Sequence, residues 1–395
     1  METLFSSLTF GNAQIKNRFV HSATYEAMAS ESGEVTDSLL KRYKLLAQGD
    51  IGLIIPGHMY VHTLGKAGRF QIGIYSDELI PGLKRLVDTV HKEGGKIFFQ
   101  LAHAGRQTRK QLIGRQPLGP SGFDRDPMYL VKAGEMTVEQ IQEFIAAFGS
   151  AARRAVDAGA DGIQLHAAHG YLINQFLSPY FNKRKDDWGG TDGNRFRFLK
   201  EVVLACREHM PEKMPLGIKL NTQDFTPREG ITPALAAKYA GWIKELAVDG
   251  LELSSGSTYY AAFNMSRGDV PLEDLVKGMP GWKKPLGRMA LKKMLGKYDL
   301  KEGYNLDAAK LIRPRLNGTT LAVVGGFRSL AHMEETVQKG HADLISMSRP
   351  FIREPFILRK FREGKQDRVS CRSCNKCLAA AANEIPVRCF NEQNS

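Results

Sequence analysis

The chain has 395 residues, 43% hydrophobic and with 39 glycines, the make-up of a turn-rich globular protein rather than a disordered one. Lysine and arginine outnumber aspartate and glutamate by 55 to 42, a net charge of +13, but the cations are scattered without a nucleic-acid motif, so nucleic acid is not expected as a partner. No apolar run approaches the ~18 residues of a membrane span, and METLFSSLTFGN lacks a basic stretch ahead of an apolar core, so no membrane partner and no secretory leader are expected.

Apolar, β-branched runs recur along the chain: Phe19–Thr24, Ile51–Gly57, Lys96–Ala102, Gly162–Ala168, Leu216–Asn221, Leu251–Gly256, Leu321–Gly326 and Leu344–Arg349. Helical patterns stand between them, among them Asp37–Gln48, Asp77–Lys92, Val138–Ala158, Asn194–His209, Pro233–Val248 and Ser329–Gln338. Eight unbroken alternations predict a closed parallel α/β fold, the TIM (β/α)8 barrel, which carries its chemistry at the C-terminal strand ends. Two connections are long: Ala104–Met136, rich in Gly and Pro, and Thr258–Thr320, rich in Lys and Arg. Both leave strand C-terminal ends and are expected to overhang a site there, the second meeting an anionic substrate such as an acyl-CoA or, on the plainer view, offering a solvated basic helix over Leu291–Leu300. The expected organisation is a barrel over residues 1–365, with an insertion at 258–320, and a short C-terminal cysteine-rich extension at 366–395.

The residues that break the apolar pattern mark the candidate site. His166, His169 and Tyr171 put two imidazoles and a phenol just past the fourth strand. Two N–H donors can stabilise charge growing on a carbonyl oxygen, and a phenol of pKa ~10 holds a proton to give at neutral pH. His-x2-His could also be half of a metal site, though no third ligand lies at a supporting spacing. Gln100 is an amide in an apolar strand, and Lys219 is a charge in a strand whose inner face should be buried; both need partners. Gly325–Gly326 let backbone amides approach an anion ahead of a helix. With Ser348–Arg349 at the next strand end they mark the phosphate position of such barrels. Four of the five cysteines crowd the last 25 positions as C-x2-C-x2-C-x11-C: Cys371, Cys374, Cys377 and Cys389. That is not a dispersed disulfide framework; it points to metal in a reducing cytoplasm, with a [4Fe–4S] cluster, which needs four thiolates, expected and zinc or metal-free thiols the alternatives.

Several stretches together resemble the old yellow enzyme, or NADH:flavin oxidoreductase, family: HAAHGYLINQFLSPYFNKRKDDWGG (His166–Gly190), KNRFVHSATYEAMA (Lys16–Ala29), IGLIIPGHMYV, FFQLAHAGR, VVGGF and SMSRPFI. The likeness is to the branch containing 2,4-dienoyl-CoA reductase and trimethylamine dehydrogenase, whose barrel domain is followed by a cluster-binding cysteine motif. It implies FMN, with NAD(P)H as electron donor. It implies that Ser22, Ala23, Thr24 and Gly57 meet the flavin, that Gln100 bonds its pyrimidine ring, and that Lys219 stabilises the anionic reduced ring. Gly325, Gly326, Ser348 and Arg349 would cradle its phosphate. His166 and His169 would hold a substrate carbonyl, and Tyr171 would donate the proton. Tyr25 falls where many relatives carry Thr, Cys or His, and His58 stands where they carry small residues.

The leading reading is reduction of the C=C bond of an α,β-unsaturated carbonyl or enoyl thioester, a small-molecule unsaturated substrate. A second is a flavin-dependent amine or other small-molecule dehydrogenase exporting electrons through the cluster to a separate electron-transfer protein. A third is an electron-transfer subunit with a vestigial flavin site, against which the intact His166, His169, Tyr171, Gln100 and Lys219 weigh. A homo-oligomer is expected.

Overall fold

The computed structural model describes residues 2–123, 132–258 and 262–391, so both long connections fall partly outside the described residues. Eight strands form the barrel: β1 (Phe19–His21), β2 (Leu53–Ile54), β3 (Phe98–Ala102), β4 (Gly162–Ala167), β5 (Leu216–Asn221), β6 (Gly250–Ser254), β7 (Thr320–Val324) and β8 (Leu344–Met347). They pair in parallel in the order β2-β1-β8-β7-β6-β5-β4-β3. The ring closes where the Ile54 N–H donates to the Lys96 carbonyl at 2.8 Å, bridging Ile54 to Ile97.

Helices follow the strands: α1 (Asp37–Gln48), α2 (Ile80–Lys92), α3 (Val138–Asp157), α4 (Asp192–Arg207), α5 (Pro233–Ile243), α6 (Leu306–Ile312), α7 (Leu330–Gln338) and α8 (Ile357–Arg362). Threonines start four of them: Thr36, Thr137, Thr191 and Thr232 each accept a backbone N–H of the first turn. Thr191 capping Asn194 moves the start of α4 two residues ahead of the expected Asn194. The helix expected to reach Val248 ends at Ile243, beyond which tight turns take over.

The expected second strand, Ile51–Gly57, is divided. Leu53–Ile54 pairs with β1, the chain then leaves the ladder, and Met59–Tyr60 pairs with the end of β3. The Gly57 N–H is drawn instead to the Glu26 carboxylate at 3.2 Å and the Tyr43 hydroxyl at 3.1 Å. A Cβ on Gly57 would stand 2.4 Å from Glu26 Oε2 and 2.7 Å from the Thr24 carbonyl, so only glycine admits this approach.

The floor of the barrel is apolar: Val20, Leu53, Phe98, Ala322 and Leu344 are buried together. An antiparallel hairpin, Leu8–Phe10 with Ala13–Ile15, plugs it from below, and the Phe10 ring lies against Gly217 and Gly250. A larger apolar layer joins the strands to the surrounding helices. Among the described residues, no helix is long and apolar enough to cross a membrane.

The segment between β6 and α6 carries helices Leu272–Val276 and Lys284–Lys292, the latter lying ahead of the helix expected over Leu291–Leu300. It packs on the C-terminal extension, where α9 (Lys376–Ala382) forms. Asn375 Nδ2 donates to the Ser266 carbonyl at 2.7 Å, and the Asp269 N–H donates to the Ser373 carbonyl at 3.0 Å. The tail then returns to the barrel mouth, where the Val387 N–H donates to the Glu26 carbonyl at 2.9 Å.

Candidate active site

The inner faces of β3 to β6 and the end of β1 supply a buried polar chain. Gln100 Nε2 donates to Gln164 Oε1 at 2.5 Å, and Gln164 Nε2 donates to Glu252 Oε2 at 2.9 Å. The other carboxylate oxygen of Glu252 accepts from the Ser22 hydroxyl at 2.6 Å, and Ser22 accepts from Lys219 Nζ at 2.7 Å. Lys219 Nζ also stands 3.3 Å from Glu252 Oε2, with both side chains almost wholly buried. The strand register explains the pairing, because Lys219 lies level with His166 on one side and Glu252 on the other. A cation is stable in a barrel interior only when so compensated.

Above this layer lies an aromatic and imidazole group. The rings of His166 and Tyr171 are 4.7 Å apart, and those of His166 and His169 are 5.1 Å apart. His58 joins them, 4.9 Å from Tyr171 and 5.8 Å from His166. His169 and Gly170 take left-handed φ values of 61° and 79°, turning the chain sharply at the end of β4. A non-glycine residue there is sparsely populated backbone, and the turn brings His169 Nε2 to 2.7 Å from the Ser254 hydroxyl on β6. Among the described residues, His166 Nδ1 and His58 Nε2 are buried without a hydrogen-bond partner, a condition that a bound ligand relieves.

Burial holds these imidazoles neutral. It lowers the pKa of His58 to about 4, with the Lys219 charge adding to the effect. His166 and His169 lie well below the ordinary value, by burial first and then by neighbouring imidazoles and Lys219. At neutral pH each is therefore an uncharged ring with one N–H to donate. Tyr25, against His58, has its phenol pushed up, again chiefly by burial.

The strand ends expected to face a flavin come together in part. The hydroxyls of Thr24 and Ser348 are 2.6 Å apart, linking the ends of β1 and β8. Ala23 lies beside them, partly buried against the floor cluster. Gly57 is held by Glu26, as described above. Gly325 and Gly326 lie under the returning insertion: the Tyr304 N–H donates to the Gly325 carbonyl at 3.1 Å, and Gly326 has φ 74°. Arg349 turns partly away, its Nη1 donating to the Arg267 carbonyl at 2.9 Å and to Asn375 Oδ1 at 2.5 Å. The chain fits an FMN on three observations: the buried Lys219 cation, the amide of Gln100 in the layer beneath, and the partnerless His166 and His58 nitrogens above. Glu252, Gln164 and His58 are the residues that the sequence left without a role. A lone carboxylate between two leucines, one strand from a lone lysine, was the signal for Glu252.

Apart from the barrel, Cys371, Cys374, Cys377 and Cys389 line one cavity, all as free thiols. Arg353 Nη1 points at Cys389 Sγ from 3.4 Å, and Arg328 Nη2 at Cys371 Sγ from 3.7 Å. Among the described residues no group of three or more His, Cys, Asp or Glu side chains is set around a single metal-ion position.

Solved structures with the same architecture are reductases and dehydrogenases. 2-Naphthoyl-CoA reductase matches with a TM-score of 0.85 at 26% identity over 98% of this chain, which spans 56% of that one. Histamine dehydrogenase from Rhizobium sp. 4-9 matches with a TM-score of 0.80 at 23% identity, again over 98% of this chain and 52% of that one. An old yellow enzyme homologue from Zymomonas mobilis matches with a TM-score of 0.73 at 23% identity, over 92% of this chain and 94% of that one. These likenesses define the fold class, an α/β barrel. Among curated proteins, NADPH dehydrogenase of Geobacillus sp. is 36% identical over 90% of this chain and 93% of its own, and that of Bacillus cytotoxicus 34% over 90% and 91%. The model of the NADH:flavin oxidoreductase / NADH oxidase family matches residues 3–286, and the chain belongs to that family: it is an oxidoreductase enzyme using FMN and NAD(P)H.

Proposed function

We propose that the protein is an ene-reductase, reducing the C=C bond of an α,β-unsaturated carbonyl or enoyl thioester with electrons from NAD(P)H. The observation that carries the reading is the pair of neutral imidazoles, His166 and His169, with the Tyr171 ring beside His166 and the buried Lys219 close by. FMN, when bound, supplies the hydride for the β-carbon. The N–H groups of His166 and His169 bind the carbonyl oxygen and stabilise the charge that grows there. The Tyr171 hydroxyl gives its proton to the α-carbon. Lys219 would set a positive charge beside the flavin, Gln100 would bond its pyrimidine edge, and Ser22, Ala23, Thr24 and Gly57 would line it with backbone. Gly325, Gly326, Ser348 and Arg349 would hold its phosphate.

The cysteine cavity favours a second reading beside the first. We propose that Cys371, Cys374, Cys377 and Cys389 hold a [4Fe–4S] cluster, through which a small-molecule dehydrogenase could pass electrons to a separate protein. Such thiols need a reducing compartment, so the cytoplasm is the proposed location. The solved likenesses include both a reductase of a CoA thioester and an amine dehydrogenase by name.

One set of measurements separates these readings. The purified protein is expected to show flavin absorbance, to bleach with NADPH without air, and to recover colour on addition of cyclohexenone or crotonyl-CoA. Recovery with neither, together with bleaching by an amine, would transfer the assignment to the dehydrogenase reading. Iron and acid-labile sulfide near four per chain support the cluster; zinc with no sulfide would remove it.

A further inference from the structure

We propose that the outer face of the insertion is a peripheral docking surface for an anionic lipid bilayer. The helix Lys284–Lys292 and the turn before it are oriented unlike an ordinary surface helix, which hides its apolar stripe. Trp282, Leu286 and Met289, spaced by four and three residues, are 74%, 59% and 56% exposed, and Leu295 follows at 51%. The inward side is made of smaller or charged groups: Gly287 lies against Met279 and Val276, and Arg288 pairs with Glu273 at 2.8 Å. The apolar stripe therefore faces outward because the opposite side is already docked.

Charge identifies the occupant. From Lys277 to Lys301 the chain has eight lysines and arginines and one acid, Asp299. The nearby acids are already used, Glu273 by Arg288 and Asp274 by Lys277. Lys283, Lys284, Lys292, Lys293 and Lys297 make no ion pair among the described residues. Lys283 Nζ stands 4.9 Å from the Trp282 ring, its cation level with the indole. A second copy would bring the same positive charge against this face. Protein interfaces enrich tryptophan and methionine but deplete lysine. A tryptophan and aliphatic stripe flanked by lysines is the composition of helices that lie in the headgroup layer, where the ammonium groups meet lipid phosphates. The surface is also held firmly: Asn383 Nδ2 donates to the Asp274 carbonyl at 2.8 Å, and the Gly278 N–H donates to Asn383 Oδ1 at 3.0 Å. Because the insertion leaves from the C-terminal end of β6, docking brings the site-bearing end of the barrel toward the bilayer.

The test is flotation of the full-length holoprotein with vesicles of phosphatidylcholine alone or with about one third phosphatidylglycerol. Binding is expected only to the anionic vesicles, at least about tenfold weaker at high salt, with a blue shift of tryptophan emission that is lost in Trp282→Phe. Replacing Trp282, Leu286 and Met289 together by Ser, or Lys283, Lys284, Lys292 and Lys293 together by Glu, should each weaken binding about tenfold or more while NADPH oxidation is unchanged. If those variants fold poorly, quenching of Trp282 in the parent protein by brominated lipid still decides the matter. No flotation, equal binding to neutral vesicles, or absence of quenching would overturn the proposal. So would a lipid-free dimer that the serine variant dissociates, or capture of an acidic redox protein at this face in preference to vesicles.

Discussion

Tyr171→Phe removes one oxygen and leaves the ring packing with His58 and His166 in place. If Tyr171 is the acid, stopped-flow kinetics should show alkene reduction slowed by about 10²–10⁴-fold while bleaching by NADPH is nearly unchanged. Equal slowing of both half-reactions would make Tyr171 a structural residue. Glu252→Gln acts on the layer below. Its carboxylate offsets the Lys219 charge from 3.3 Å, so the variant leaves that cation uncompensated beside the proposed flavin site. The flavin midpoint potential should rise by on the order of 30 mV, about 1.4 kcal/mol for a two-electron couple; an unchanged potential would mean that the chain from Gln100 to Lys219 does not sense the flavin. Lys219 and Gln100 were legible in the sequence because each interrupts an apolar strand. Glu252 interrupts one equally, but its meaning depends on the register that sets it level with Lys219, and register is a relation between strands.

At the scale of elements, the hairpin beneath the barrel is a packing device with one tight point. A Cβ on Gly250 would stand 2.3 Å from the Phe10 ring and 3.0 Å from the Thr320 carbonyl. Gly250→Ala should therefore cost ~1–3 kcal/mol by overpacking, read as a lower chemical-denaturation midpoint. Phe10→Leu in the same chain should recover part of that loss, since the two sites share one space; strictly additive losses would show that Phe10 is not what Gly250 accommodates. The positions of strands and helices were readable from hydrophobic period, though the threonine caps that set several helix starts were seen only in the structure. The division of the second strand was not readable. It follows from Glu26 and Tyr43 drawing the Gly57 N–H out of the ladder, and nothing local to Ile51–Gly57 announces so distant a competitor. The helix of the insertion, expected over Leu291–Leu300 from its basic residues, forms at Lys284–Lys292 instead, since charge alone does not mark where a helix begins.

Across the whole molecule, stability should depend on pH in the acid range. His21, His58, His103, His166 and His169 are buried with lowered pKa values, His21 and His103 to about 3 and His58 to about 4, chiefly through burial. Their unfolded forms titrate near 6.5, so their contribution is complete above that value and is lost as pH falls toward the folded values. Glu26 and Asp224 act oppositely: burial raises their folded values, which offsets part of that loss. The cofactor-free protein should accordingly lose stability steeply between pH 6.5 and 4. Replacing His103 by Gln should flatten that slope by about one proton in denaturant titrations at several pH values; an unchanged slope would mean that His103 does not resist protonation in the folded chain.

The closure of the ring by β8 on β1, Ile345 beside Phe19, sets a schedule for synthesis as well as a shape. A chain emerging from the ribosome has β1 early and its second neighbour only near the end. Throughout that interval one edge of β1 offers unpaired backbone, while the floor around Val20 stays open. Contacts this remote in sequence form late and slowly, and such an edge is a template for wrong partners. The protein should therefore depend on chaperones or slow translation for yield more than its finished stability would suggest. The residues gathered at the barrel mouth can begin to act together only once the eighth strand has arrived.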